Sequence, residues 1–177
     1  MKPVNIRFRI FVLSLLGCVS VGVAAAAETK RVAEIKKHAE ACAEAQMRRD
    51  FDKFIPYMPT KLLGFMGGRE GLTKTITEGT EEMKRRGITI DSVTIGTPEE
   101  PKTHGTTQVA LVPQKLVMTT PQGRLVTDSH LLAISENNGE SWVFVDTASI
   151  NDEKLGILYP DLKGKVEIPQ MKKKLAE

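Results

Sequence analysis

Acidic residues are absent from the first 27 positions of this 177-residue chain, where Lys2, Arg7 and Arg9 precede an uncharged run from Ile10 to Ala27. A basic start, an apolar middle and the small residues Ala24–Ala27 at its end read as a secretory signal peptide over residues 1–27. The working protein is therefore expected in the periplasm or outside the cell. The run is as long as a membrane span, but Ser14, Gly17, Ser20 and Gly22 interrupt it and no aromatic or basic anchor closes it. Leu15-Leu16-Gly17-Cys18 offers an alternative, a lipobox-like setting in which Cys18 would carry lipid. Without that tether no membrane contact is expected. Cysteine is otherwise scarce. Once Cys18 is lost or lipidated, Cys42 stands alone, so no intramolecular disulfide is available despite the oxidising destination, and the fold rests on its core.

Excess charge is absent as well. Of the 25 basic residues three lie in the leader, and none of the 22 acidic residues does, so the remainder of the chain is neutral. No basic stripe is left to neutralise phosphates, and nucleic acid is not an expected partner. There is no internal repeat, no low-complexity linker, no nucleophile elbow and no zinc-protease motif. Gly64, Gly67, Gly68 and Gly71 are not a phosphate loop, because no strand precedes them and no Lys-Ser/Thr pair follows. His38 and Cys42 are four apart on one helix, but zinc needs two further ligands and no second pair exists. No metal and no cofactor are expected.

The roughly 150 residues after the leader suit one domain with one proper core. That domain is expected over 28–160, with 161–177 as a polar, loosely attached tail carrying Pro169 and Lys172-Lys173-Lys174. Val32, Ile35, Ala39, Cys42 and Gln46 recur at helical spacing and predict a helix from Thr29 to about Arg49. A short second helix follows Asp50-Phe51-Asp52 and stops near Pro56 and Pro59. Leu62, Leu63, Phe65 and Met66 form an apolar turn ended by Gly67-Gly68. A third helix spans about Arg69–Arg86, with Leu72, Ile76 and Met83 inward and Gly87 as its stop.

Beyond Gly87 the pattern is that of strands. Ile88 and Ile90 alternate in one phase and Val93 and Ile95 in the other, which predicts a bulge near Asp91-Ser92. Two long strands, about Thr107–Thr119 and Leu125–Ser135, join through Pro121-Gln122-Gly123, and Pro113 marks an edge, kink or bulge in the first. Asn138-Gly139 turns the chain into a last strand, about Ser141–Thr147, before a short helix over Asp152–Tyr159. The sum is an α+β fold in which N-terminal helices pack against a strongly curved antiparallel sheet, a cone-shaped α+β barrel with a hollow between the layers.

The Arg49-Asp50-Phe51-Asp52 junction after the first helix and Gly67-Gly68-Arg69-Glu70-Gly71-Leu72 opening the third carry a further signal. With the late Asn-Gly hairpin leading into Ser141-Trp142-Val143-Phe144, this order resembles cone-shaped domains of the nuclear-transport-factor-2-like superfamily. The resemblance covers nearly all of the mature chain. It implies the cone fold and a range of functions: ketosteroid isomerase-like enzymes, polyketide cyclases, scaffold subunits and small exported domains without known activity. The exported, uncharacterised branch is nearest in overall pattern. The chain has no evident hairpin between the second and third helices, so no catalytic residue is carried over.

Pairing the strands across Gln122-Gly123 and across Asn138-Gly139 places Leu116, Met118, Leu131, Ala133, Trp142, Phe144 and Asp146 on one face. Lys115, Val117, Asp128, His130, Leu132, Ile134, Val143 and Val145 take the other. Both faces are apolar enough to be covered, one by the core and the other by a second copy in a homodimer. In this register Lys115 lies opposite His130 with Asp128 two residues along, a trio able to orient a ligand or move a proton. Its plainer reading is a polar rim at the wet end of a sheet. Asp146 stands beside Trp142 and Phe144, where apolar rings raise a carboxyl's proton affinity; turn or capping duty is the plainer role. Tyr57 is a candidate to reach into the hollow, or to pack in the core with its hydroxyl at the rim. These residues predict a non-catalytic domain that binds a small apolar or amphipathic ligand in the cone. The alternatives are an isomerase- or cyclase-like acid–base enzyme using His130 or Asp146, and an accessory subunit whose sheet face meets a protein partner.

Overall fold

The computed structural model describes residues 20–176, with side chains from Thr29 to Leu175. Most of the segment read as a signal peptide, and with it the lipidation reading of Cys18, lies outside the described residues. Among the described residues no helix is long and apolar enough to cross a membrane.

Helix α1 runs from Ser20 to Arg48, starting earlier than expected because Ala24–Ala27 continues the helix at the best propensity available. Its buried stripe is Ile35, Ala39, Cys42 and Ala45. Ala45 replaces the expected Gln46, whose amide stays in water. Asp50 caps α2 (Phe51–Phe54), its carboxylate accepting the Lys53 N–H at 3.2 Å. A 3-10 turn over Ile55–Tyr57 and α3 (Thr60–Phe65) follow. Helix α4 (Gly68–Arg85) is tied back to α2 by the Arg69–Asp52 ion pair and ends at Gly87, whose φ of +68° is left-handed.

The six strands form one antiparallel sheet, strongly curved into a half-barrel. Its centre is the hairpin of β3 (Thr107–Thr120) and β4 (Gly123–Ser135). Along the outer side of β3 lie β1 (Thr89–Ile95) and β2 (Lys102–His104); along the outer side of β4 lie β5 (Val143–Asp146) and β6 (Lys172–Ala176). The β1–β3 register shifts between Ile90 and Ser92, the bulge that the phase slip predicts. Pro113 sits in a central strand, between the stretch that pairs with β2 and the stretch that pairs with β1. Its carbonyl accepts from Gly96 just past the end of β1, where no further ladder bond is lost.

The β3–β4 pairing differs from the expectation. Lys115 pairs with Asp128, and His130 lies opposite Pro113. The turn is centred on Pro121-Gln122 instead of Gln122-Gly123. Thr120 closes it, its hydroxyl donating to Gly123 O at 2.7 Å and accepting from Gln122 N at 3.2 Å. The β4–β5 pairing is the one centred on Asn138-Gly139, with Ile134 opposite Val143 and Leu131 opposite Asp146.

Two cores result, one on each face of the sheet. On the helix side Ile35, Ala39, Cys42, Phe54 and Leu72 pack against Val112, Leu131, Ala133, Trp142 and Phe144. On the other side Leu132, Ile134 and Val145 pack against Leu155 and Leu158 of α5 (Asp152–Leu158) and against Tyr159 and Leu162. The stretch read as a loose polar tail is therefore docked. Leu162 is fully buried, Val166 and Ile168 pack on the second core, and β6 pairs with β4. Composition alone hides this, because three apolar residues among many charged ones suffice when each lands on the sheet. The second face, which the sequence left open to a second copy, carries a core built from its own chain.

Two glycines of α4 separate sharply. A Cβ on Gly71 would stand 1.8 Å from the Met66 carbonyl oxygen, whereas one on Gly79 would meet nothing within 4 Å. Gly71→Ala is expected to lose about 1–3 kcal/mol, and Gly79→Ala to gain about 0.5–1 kcal/mol, both read by urea unfolding. Equal effects at the two sites would refute the close approach.

Candidate functional site

The sheet divides the candidate residues between its two faces. Tyr57, Trp142 and Asp146 lie on the helix side; Lys115, Asp128 and His130 lie on the other. His130 and Asp146 therefore do not converge on one reacting centre.

On the helix side β5 carries Asp146 to the end of the sheet. One carboxylate oxygen accepts the Ala148 N–H at 2.8 Å, the turn role foreseen for it. The other accepts from Gln114 Nε2 at 3.2 Å, and the same amide donates to Ser129 Oγ at 3.1 Å. Gln114 and Ser129 are both buried polar residues that sequence reasoning missed. Only their position on the apolar face of a strand marks them. Burial pushes the Asp146 pKa up from 3.8, against the hydrogen bonds from Ala148 and Gln114, which lower it. Tyr57 packs against Phe144 at 6.0 Å between ring centroids and meets the edge of His38 at 5.9 Å. Trp142 is buried in the core beside them. The space foreseen as a hollow at these residues holds packed side chains. Cys42 lies in the same core, and burial pushes its thiol to about 12, an unreactive state.

A carboxyl with a raised folded pKa binds protons more tightly in the folded than in the unfolded protein. Stability is then highest below pH 3.8 for this group and falls as pH rises through the raised value. Asp146→Asn removes that fall. The variant is expected to overtake the parent in urea midpoint as pH climbs from 3.8, with a constant lead once Asp146 is ionised. A lead that does not vary with pH would contradict the assignment.

On the opposite face Lys115 and Asp128 are cross-strand partners, and Lys172 of β6 flanks Asp128 from the other side. Among the described residues neither lysine closes an ion pair with Asp128, and buried His130 Nδ1 has no hydrogen-bond partner. The trio is an open polar row rather than an assembled relay.

Tyr57 also lines an open recess of about 420 Å³ with Ala45, Asp50 and Pro56, and further recesses lie away from the candidate residues. A cavity of about 760 Å³ lies between Thr147–Asp152 and Gly164–Met171, with Asp152, Lys165 and Glu167 as its charged lining residues. A second recess, about 280 Å³, is apolar: Leu62 and Phe65 of α3 face Ile157 and Leu158 of α5, with Val145 and Ile150 between them. Phe65 is 70% exposed and Ile157 61%, a large apolar surface for two neighbouring residues. Lys154 lines it, and Lys61 stands beside it with its ammonium 5.7 Å from the centre of the Tyr159 ring. Lys61 Nζ donates to Leu158 O at 2.9 Å and Lys154 Nζ to Ser149 O at 3.2 Å. Both spend their hydrogen bonds on neutral carbonyls, and neither forms an ion pair among the described residues. Lys61 and Leu158 are 97 positions apart, which is why no local pattern joins the two halves of the recess.

Compared with known proteins, the chain matches no family model, no curated protein and no solved structure.

Proposed function

We propose that this chain is an exported, non-catalytic domain of the nuclear-transport-factor-2-like kind that binds a small carboxylate-headed amphiphile. The α3–α5 recess is its binding place, in contrast to the interior of the cone expected from sequence. The observation that carries the reading is the recess itself: an apolar floor of Leu62, Phe65, Val145, Ile150, Ile157 and Leu158, with Lys154 in its lining and Lys61 held beside it on the Leu158 carbonyl, neither in an ion pair among the described residues. Apolar lining with a few fixed polar groups is the usual make-up of a ligand site. At about 280 Å³ the recess stands at the small end of such sites, suited to an acyl chain and too small for a fused-ring ligand. The curved half-barrel supports the superfamily reading, and the basic, apolar, alanine-ended leader supports export.

Calorimetric titration with decanoate tests the proposal. Decanoate is expected to bind, and the double variant K61A/K154A to bind it about tenfold more weakly, at up to about 1 kcal/mol per exposed ion pair. Decanol is expected to bind the parent and the double variant alike, because it has no charge for the lysines to meet. Ile157→Asp places a carboxylate in the floor and is expected to abolish binding of both. Undiminished binding by Ile157→Asp would remove the recess from consideration, and no binding by the parent would remove the amphiphile.

A further inference from the structure

The end of the sheet at the β3–β4 turn carries an apolar row that neither core absorbs. Ile90 pairs with Met118, Met118 with Leu125, and Leu125 with Leu175, so four strands place four large apolar side chains side by side on one face. Leu175 is 60% and Ile90 38% exposed, and Met118 and Leu125 are half-buried between them. Basic residues stand at the same end of the sheet: by register Lys173 shares the face of the row, and Lys172, Lys174 and Arg124 alternate to the other face. Lys172, Lys173 and Lys174 belong to β6, Arg124 opens β4, and all are exposed. None of the four forms an ion pair among the described residues. The neutral balance of the mature chain therefore conceals a local excess of positive charge at one tip, next to exposed hydrocarbon.

We propose that this tip docks on an anionic lipid surface, with Leu175 and Ile90 entering the headgroup layer and the lysines meeting lipid phosphates. The two features complement that surface together: unpaired ammonium groups are drawn to an anionic leaflet, and an apolar row beside them gains by leaving water. Lysines on an edge strand also deter strand-to-strand association. A reversal to glutamate keeps that deterrent and removes only the attraction to lipid, so the two roles separate experimentally. The inference does not depend on the α3–α5 recess.

The test is hydrogen–deuterium exchange on the full chain, with vesicles of three parts phosphatidylcholine to one part phosphatidylglycerol. Because exchange is read segment by segment, binding through the leader is distinguished from docking of the tip. Residues 118–126 and 172–176 are expected to slow in these vesicles, to stay unchanged in pure phosphatidylcholine, and to recover in high salt. K172E/K173E/K174E is expected to weaken tip protection about 100-fold in lipid concentration, and Leu175→Glu to weaken it without changing the thermal midpoint. Vesicle binding that leaves the tip unprotected overturns the proposal. Protection by neutral vesicles overturns it too, as does protection that rises with protein concentration in the absence of lipid, which would assign the row to a second copy of the chain.

Discussion

A chain ended after Tyr159 is expected to lose about 3–6 kcal/mol of stability and to associate at concentrations where the parent is soluble. Leu162, fully buried, contributes about 1.5–3 kcal/mol of that sum. Val166 and Ile168, both half-buried on the second core, supply most of the remainder. The loss is a large share of the roughly 5–15 kcal/mol that holds an ordinary domain folded. Truncation also strips β6 from β4 and opens the ladder groups of residues 124–128 as an unpaired edge. Urea unfolding and light scattering read the two effects separately. A truncated chain that stays monomeric at the parent's urea midpoint would mean that the C-terminal segment is as loose as its polar composition implies.

Trp142→Ala is expected to have a comparable effect through the other core. Trp142 is 3% exposed, follows the Asn138-Gly139 turn and packs with Phe144 on the helix side of the sheet. Its ring also comes within reach of Gly139, where an added Cβ would stand 3.7 Å from it. Removing a buried aromatic of this size leaves a cavity, at about 3–5 kcal/mol. For a domain of this length that corresponds to a fall of about 6–20 °C in Tm, measured by far-ultraviolet circular dichroism because the sole tryptophan is gone. Trp142→Phe keeps most of the volume and is expected to fall much less. If the two variants melted together, the ring would not be filling the core as described.

Much of the fold was legible because its signals are local. The helix-period stripe of α1, the Asp50 cap, the Gly87 stop and the Ile90-to-Val93 phase slip each lie within a few residues of the feature they set. The candidate site was less legible. Trp142 and Asp146 share a face as their spacing predicts, yet Gln114, which holds the Asp146 carboxylate, is 32 positions away and announced itself only as a polar residue in an apolar strand. Lys115, Asp128 and His130 share the opposite face, but their pairing differs by a slip of two.

That slip marks the division between what the chain determines by itself and what only the packed molecule decides. Side chains alternate with a period of two, so apolar and polar positions assign each residue of β3 and β4 to a face. A register displaced by two residues preserves every assignment, and no local pattern can tell Lys115 opposite His130 from Lys115 opposite Asp128. The Thr120-closed turn over Pro121-Gln122 chose between them. In the same way the sequence determined that both faces of the sheet are apolar, while the tertiary structure decided what covers the second one. Leu162, Val166 and Ile168 reach it across the molecule. Burial depends on which surfaces meet in space, and distance along the chain carries no record of that.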